Sequence, residues 1–120
     1  MEIPRAENEI WEAVKALQGR TLFTYVDEEP NLIDRVDDTN NGNDVVQIRN
    51  RDTKPTRRDI IAAYQLLHAQ GNLRRIPDLE WLATPEKKTS SIVFRIVGEI
   101  SRQEADYDPE SDTIRVKYIK

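Results

Sequence analysis

The segment from Pro55 to Gly71 constrains the fold of this 120-residue chain most strongly, because it carries signals for both ends of a helix. Thr56 can cap the first turn with Asp59 at the spacing of a capping box, and Gly71 can adopt the left-handed conformation that ends many helices. Apolar residues cover most of the helical circumference between these ends. The narrow polar sector that remains consists of Arg58, Ala62, Gln65 and Ala69. We therefore predict that this helix is the central and most buried element.

The N-terminal third predicts one helix followed by an antiparallel sheet. Residues Glu7–Gln18 place their apolar side chains on one face at helical spacing, and Gly19 follows as a C-cap. Three β-branched or aromatic stretches come next, Thr21–Val26, Leu32–Val36 and Val45–Arg49. Asn41-Gly42 lies between the last two and favours a hairpin turn, because both residues tolerate positive φ.

The residues after the central helix predict the order of parts found in a winged helix-turn-helix domain. Pro77 suits the first turn of a short helix that runs to about Ala83. A turn over residues 84–89 precedes a last helix at Ser90–Arg102, and the alternation after residue 105 predicts a hairpin. In such domains the last helix enters the major groove of DNA.

We predict a single α+β domain over residues 1–120. Residues 1–54 provide the N-terminal helix and a three-stranded antiparallel sheet. Residues 55–120 form a winged-helix-like helical half with a C-terminal β-hairpin. A chain of this length can bury enough surface for one core.

The composition excludes several kinds of chemistry. The chain has no cysteine, which excludes disulfides, thiolate catalysis and cysteine-based zinc sites. Its one histidine, His68, provides too few imidazole ligands for the usual transition-metal site. No apolar run approaches the roughly 18 residues that span a bilayer, and the N-terminus lacks the pattern of a signal peptide. We expect a cytoplasmic protein with no metal, no cofactor and no membrane partner.

Carboxylate runs occur in predicted turns, at residues 27–29 and 106–112, where solvated side chains are the expected state. The second run loosely resembles a calcium loop, but Pro109 and the missing glycine break that pattern. Glu86-Lys87-Lys88 has the residue types of a nuclease site, yet it lies in a loop rather than on paired strands. We expect no catalytic residues and no enzymatic activity.

Charge is distributed unevenly along a chain whose net charge is −4. Residues 1–44 hold four lysines and arginines against eleven acids, whereas residues 45–95 hold ten against five. Residues 96–120 are again acidic on balance. A basic middle between acidic ends can form a local positive patch despite the acidic total.

The last helix offers the first group of candidate DNA contacts. Ser91 and Arg95 fall on the face opposite its aliphatic stripe, together with Phe94, Gly98 and Arg102, and are candidates for base edges. The flanking phosphate contacts are expected at Lys87 and Lys88 before the helix and at Arg115 and Lys117 on the wing. The alternative is that these are ordinary solvated charges on an amphipathic helix.

Residues 49–58 form the second group, with five basic residues in ten positions. Arg57 and Arg58 occupy the first turn of the central helix, where free N–H groups favour a phosphate, and Arg49 ends the preceding strand. The alternative is that these guanidinium groups pair with acids of the neighbouring strand, such as Asp34, Asp37 or Asp38.

Cap, turn and core positions along most of the chain form a recognisable series. They are Trp11, Leu17, Gly19, Thr21, Leu22, Thr24 and Arg49, then Lys54, Pro55, Arg58, Asp59, Ile60, Ala63, Tyr64, Leu67, Gly71 and Leu73, followed by the serine-led last helix. This series resembles a small N-terminal accessory domain that precedes or accompanies nucleases in some prokaryotic restriction-type proteins. The resemblance implies a DNA-related setting and transfers no activity or functional residue.

The leading hypothesis is a non-catalytic DNA-binding module, regulatory or associated with a defence system, whose partner is double-stranded DNA. Its candidate contacts are Arg49, Arg57, Arg58, Lys87, Lys88, Ser91, Arg95, Arg115 and Lys117. The alternative is an acidic adaptor or inhibitor that docks on a protein partner, which an isoelectric point of about 5.1 favours.

Overall fold

The computed structural model describes residues 5–117, so Tyr118 and Ile119 of the expected hairpin lie outside the described residues. Within this range the chain forms three α-helices and six strands. In chain order they are α1 (Glu7–Lys15), β1 (Thr21–Phe23), β2 (Pro30–Val36), β3 (Val46–Ile48), α2 (Arg57–Gln70), β4 (Asn72–Arg74), α3 (Ser90–Ile100), β5 (Ala105–Asp108) and β6 (Thr113–Val116). A short 3-10 turn, Glu80–Leu82, precedes α3. The α+β class is confirmed.

The first sheet is antiparallel and has the strand order β1-β2-β3, as predicted. Leu22 lies opposite Asn31, and Val36 lies opposite Val46. Side chains from all three strands enter the core, among them Leu22, Ile33, Val46 and Ile48. The three predicted strands therefore form one sheet with a buried face, although a register shift between Ile33 and Arg35 interrupts strict alternation in β2.

The connection between β2 and β3 differs from the expected Asn-Gly turn. Asn40 has a φ of 58°, whereas Gly42 is not at positive φ. The loop is organised instead by Asp44, which is buried and accepts hydrogen bonds from the backbone N–H groups of Thr39 at 3.0 Å and Asn41 at 3.2 Å. The turn signal locates the hairpin correctly, but side-chain hydrogen bonds fix the shape of the loop.

The second sheet is also antiparallel, with the strand order β4-β6-β5. Its β5–β6 hairpin agrees with the prediction, whereas the sequence does not predict β4. This strand has only three residues and pairs with β6 so that Leu73 lies opposite Ile114. Both of these side chains are buried. The pairing attaches the C-terminal hairpin to the end of α2.

The two ends of α2 form as predicted. Thr56 Oγ1 accepts a hydrogen bond from the Asp59 N–H at 3.1 Å, and Gly71 ends the helix with a φ of 81°. No residue is buried in the predicted polar sector of Arg58, Ala62, Gln65 and Ala69. The helix therefore has the predicted rotation about its axis.

The most buried helix is α3 rather than α2, so that prediction is wrong. Eight of the eleven residues of α3 are buried, against seven of fourteen in α2. α3 packs against α1, α2, β1, β5 and the 3-10 turn. Phe94 and Gly98, expected on its exposed face, are covered by Tyr25, whose ring stacks on Tyr107 at a centroid distance of 3.7 Å. A Cβ atom at position 98 would overlap the Tyr25 hydroxyl, so a glycine is needed where helix and ring meet.

The short helix expected from Pro77 is reduced to the 3-10 turn. The Asp78 carboxylate accepts a hydrogen bond from the Arg74 N–H at 2.8 Å, which draws the chain into a turn directly after β4. Side-chain acceptors of this kind compete with helix formation. Only the three residues of the 3-10 turn remain helical in this connection.

Leu67→Ala should destabilise the fold far more than Gln65→Ala. Leu67 is completely buried on α2, so its truncation removes apolar contacts and leaves a cavity, at a cost of roughly 2–5 kcal/mol. Gln65 is exposed, and its truncation should cost less than about 0.5 kcal/mol. Urea unfolding measures both changes, and equal midpoints would show that α2 is rotated relative to this structure.

Candidate nucleic-acid interface

Two of the predicted basic segments meet at the first turn of α2. Lys87 Nζ lies 3.2 Å from Asp59 Oδ2, and this contact joins the turn before α3 to α2. The same ammonium group lies over the Trp81 ring, 5.6 Å from its centroid. We use the name α2–α3 corner for Lys87, for the residues that adjoin this contact in the chain, Arg58 before Asp59 and Lys88 after Lys87, and for Ser91 in the first turn of α3.

The side chains of the α2–α3 corner differ in how freely they can meet a ligand. Arg58 and Lys88 are exposed, and neither makes an ion pair with another of the described residues. Lys87 is 46% exposed, and its ion pair with Asp59 neutralises part of its charge. Ser91 is exposed on the first turn of α3. The Lys87–Asp59 contact thus sets these two predicted segments side by side. Within residues 5–117, Arg58 and Lys88 are exposed cations without an acidic partner, as is Lys54 earlier in the first segment.

Arg57 lies beneath this surface rather than on it, because its side chain is only 8% exposed. Its guanidinium group lies 3.7 Å from the Asp44 carboxylate. It also donates to the amide oxygens of Asn8 and Asn40, each at 3.3 Å, and packs over the Trp11 ring. Arg57 therefore connects α1, the β2–β3 loop and α2.

The first turn of α2 lacks the free N–H groups expected of a phosphate site. The Arg57 N–H donates to the Asp44 carbonyl at 2.7 Å. The Arg58 N–H donates to the Gly42 carbonyl at 3.3 Å, and the N-cap side chain binds the next N–H group. This expectation is wrong because the β2–β3 loop covers the helix end and accepts its hydrogen bonds.

Arg95 is held within the fold, and its side chain is 18% exposed. Its Nε donates to the Phe23 carbonyl at 2.8 Å, and its Nη1 donates to Glu99 Oε1 at 2.9 Å. The guanidinium group also lies over the Tyr25 ring, 4.9 Å from its centroid. Of the two candidates for base edges, Ser91 is therefore the exposed one.

The remaining three predicted cations are exposed but paired. Arg49 lies 2.8 Å from Asp34, so the alternative of pairing with the neighbouring strand holds for this residue. The other two pairs, both within the β5–β6 hairpin, are Arg115–Asp108 at 3.8 Å and Lys117–Asp106 at 3.4 Å. These ion pairs reduce the charge that the strand and the hairpin can offer to DNA.

Sequence reasoning misses a group of arginines around one acid, which we call the Glu99 cluster and which consists of Arg20, Arg95, Glu99 and Arg102. The Glu99 side chain is 5% exposed. Burial opposes its ionisation, but hydrogen bonds from Arg95 and Arg20 outweigh that effect and hold its pKa below the ordinary value. Helical spacing links Arg95 and Arg102 to Glu99 in the sequence, whereas no local pattern links Arg20 to them.

The described part of the chain has no candidate metal centre, and the sequence matches no known protein, so neither source indicates a function. Residues 5–117 contain no group of three or more histidine, aspartate or glutamate side chains arranged to hold a metal ion. No helix in that range has the length and apolar character needed to cross a membrane. Comparison with protein-family models, curated proteins and solved structures gives no match.

Asp44→Asn should make the protein less stable at neutral pH and less sensitive to acid. Burial opposes ionisation of Asp44, but hydrogen bonds from Thr39 and Asn41 and the nearby Arg57 hold its pKa below the usual value. A lowered pKa in the folded state stabilises the fold above the pKa of unfolded aspartate, about 3.9. That contribution disappears as the pH falls from there through the lower folded value. Thermal unfolding from pH 7 downward measures it.

Asp52→Asn is the control for this experiment, because Asp52 is exposed and makes no ion pair with the described residues. It should leave the melting temperature and its pH dependence close to those of the wild type. An Asp44→Asn variant that also kept the wild-type pH profile would contradict the role assigned to Asp44.

Proposed function

We propose that this chain is a non-catalytic DNA-binding module that contacts double-stranded DNA through the α2–α3 corner. The contact between Lys87 and Asp59 carries the proposal, because it sets the turn before α3 beside the first turn of α2. Arg58 adjoins Asp59 and Lys88 adjoins Lys87 in the chain, and both are exposed and without an acidic partner among residues 5–117. Positive side chains gathered in this way attract the phosphate backbone of DNA.

The order of elements also supports the proposal. α2, β4, α3 and the β5–β6 hairpin follow one another in the order expected of a winged helix-turn-helix domain, with the 3-10 turn in place of its short second helix. In such domains the start of the last helix faces DNA. Ser91 occupies this position in α3 and is exposed.

The proposed contacts are mainly with phosphate groups. Lysines and arginines without an acidic partner can approach the DNA backbone and release its counterions. Ser91 remains available for a base edge, whereas Arg95 is engaged by Phe23 and Glu99. Because the net charge is −4, we expect a modest affinity with little sequence preference that falls as the salt concentration rises.

Arg58→Ala and Lys88→Ala should each weaken binding to DNA of any sequence. Each change removes one phosphate contact, so the slope of log affinity against log salt concentration should decrease by about one. Fluorescence anisotropy with a labelled duplex at low salt measures both quantities. The double variant Arg58→Glu, Lys88→Glu should lose measurable binding, because it reverses two charges at the α2–α3 corner.

Arg35→Ala is the matched control, since Arg35 is 66% exposed on β2 and pairs there with Asp37. It should bind DNA as the wild type does, and circular dichroism checks that each variant is folded. The duplex should also stay uncut during incubation with Mg²⁺. The proposal fails if the folded wild type does not bind at about 100 μM, a concentration at which non-specific DNA binding is normally detectable. It also fails if the double variant binds unchanged.

A protein-binding adaptor is the second candidate, and exposed apolar side chains favour it. Trp81 is 40% exposed and Ile76 is 45% exposed, both in the connection between β4 and α3. Large apolar and aromatic side chains are common anchors at protein interfaces. Failure of the folded protein to bind DNA would make the adaptor the better-supported function.

A further inference from the structure

At the C-terminal end of α3, the arginines around Glu99 carry more positive charge than this one carboxylate can neutralise. Arg95 Nη1 lies 2.9 Å from Glu99 Oε1. Arg20 Nη2 and Arg102 Nη1 lie 3.0 and 3.3 Å from the other carboxylate oxygen, Oε2. Three guanidinium groups therefore share a single carboxylate.

The neighbouring acids do not offset this excess. Glu104 pairs with Arg5 at 3.0 Å, and Asp106 pairs with Lys117 at 3.4 Å. Each of these pairs is neutral, whereas the Glu99 cluster retains two positive charges. The partial negative charge at the C-terminal end of a helix favours arginines in this position and offsets only part of that excess.

Two open hollows meet at the Glu99 cluster. One, of about 1170 Å³, lies between α1 and the end of α3. The other, of about 520 Å³, lies beside Tyr25 and Tyr107. Arg20, Glu99 and Arg102 line both hollows. A ligand that enters from either side can therefore reach the guanidinium groups.

Two of the three arginines have hydrogen-bond donors that the fold does not use. The Arg20 and Arg102 side chains are 50% and 72% exposed. Among the described residues, their guanidinium groups donate to Glu99 alone, through one nitrogen each. Because both nitrogens bind the same oxygen atom, the two groups are held close together before any ligand arrives. Arg95 also donates to Phe23 and is less accessible.

We propose that Arg20 and Arg102 form a binding site for a phosphate group. A guanidinium group binds phosphate through paired N–H donors, and two such groups held on one carboxylate are preorganised for this contact. An excess of two positive charges matches a phosphate dianion better than a single carboxylate. The phosphate belongs either to a small molecule, such as a mononucleotide, or to a nucleic-acid backbone. The site lies at the opposite end of α3 from Ser91 and shares no residue with the α2–α3 corner.

Titration of the full chain with inorganic phosphate tests this site. The Nε–Hε resonances of Arg20 and Arg102 should shift in NMR spectra and reach saturation. Arg20→Gln and Arg102→Gln should each weaken phosphate binding by about tenfold or more, since each removes charge-assisted hydrogen bonds. Arg102→Lys keeps the charge but loses the planar donor pair, so its affinity should lie between those of the wild type and Arg102→Gln.

Arg35→Gln serves as the control, because it removes an exposed arginine from β2 and should leave phosphate binding unchanged. Since Arg20 and Arg102 are also exposed, their variants should remain folded, and circular dichroism verifies this. Absence of saturable shifts, or equal weakening in the control, would overturn the proposal. Acetate that competes as well as phosphate would also overturn it, in favour of an acidic peptide.

Two competition experiments identify the source of the phosphate, and either positive result supports the site. Adenosine monophosphate that displaces inorganic phosphate indicates a small-molecule ligand, whereas displacement by a short DNA duplex indicates the backbone. Phosphate binding that persists when the folded protein fails to bind DNA would refute the proposed function alone. DNA binding that depends on Arg58 and Lys88, without saturable phosphate binding, would refute this site alone.

Discussion

The burial of α3 is the constraint on which the rest of the structure depends. Val93, Ile96 and Val97 are fully buried and belong to one apolar cluster with Leu22 of the first sheet and Ile114 of the second. Both halves of the chain therefore share a core around this helix. A helix packed in this way cannot turn a whole face toward any ligand, and Ser91 in its first turn is the residue of α3 that stays exposed.

Ion pairing determines which basic side chains still carry positive charge that a ligand could bind. Cations of the basic middle segment lie beside acids of the N-terminal segment, as Arg49 does with Asp34 and Arg57 does with Asp44. Folding thus cancels much of the charge asymmetry that the sequence shows. Positive charge persists in the α2–α3 corner, where two cations make no ion pair within residues 5–117, and in the Glu99 cluster, where three cations share one acid. These two surfaces lie toward opposite ends of α3.

Local signals in the sequence predict the elements, whereas contacts between distant residues determine the surfaces. Thr56 and Gly71 mark the ends of α2 because caps act on neighbouring residues. Asn41-Gly42 marks the position of the first hairpin, and apolar alternation marks the C-terminal one. A strand of three residues such as β4 has no detectable period and depends on its partner strand. Helical spacing shows that Arg95 lies opposite an aliphatic stripe, but it does not show that Tyr25 covers this side. The Glu99 cluster likewise needs Arg20, which approaches from the start of β1. The DNA contacts themselves stay predictions.

The contact between Tyr25 and Gly98 makes the residues tolerated at these two distant positions depend on each other. Position 98 has no room for a side chain while the tyrosine hydroxyl lies against it. The tyrosine ring cannot easily swing aside, because it is stacked on Tyr107 and lies edge-on to Phe94 at 5.7 Å. A larger residue at 98 is therefore compatible with this fold only together with a smaller one at 25. Substitutions at positions 25 and 98 should therefore occur together, so the two positions should covary among related sequences.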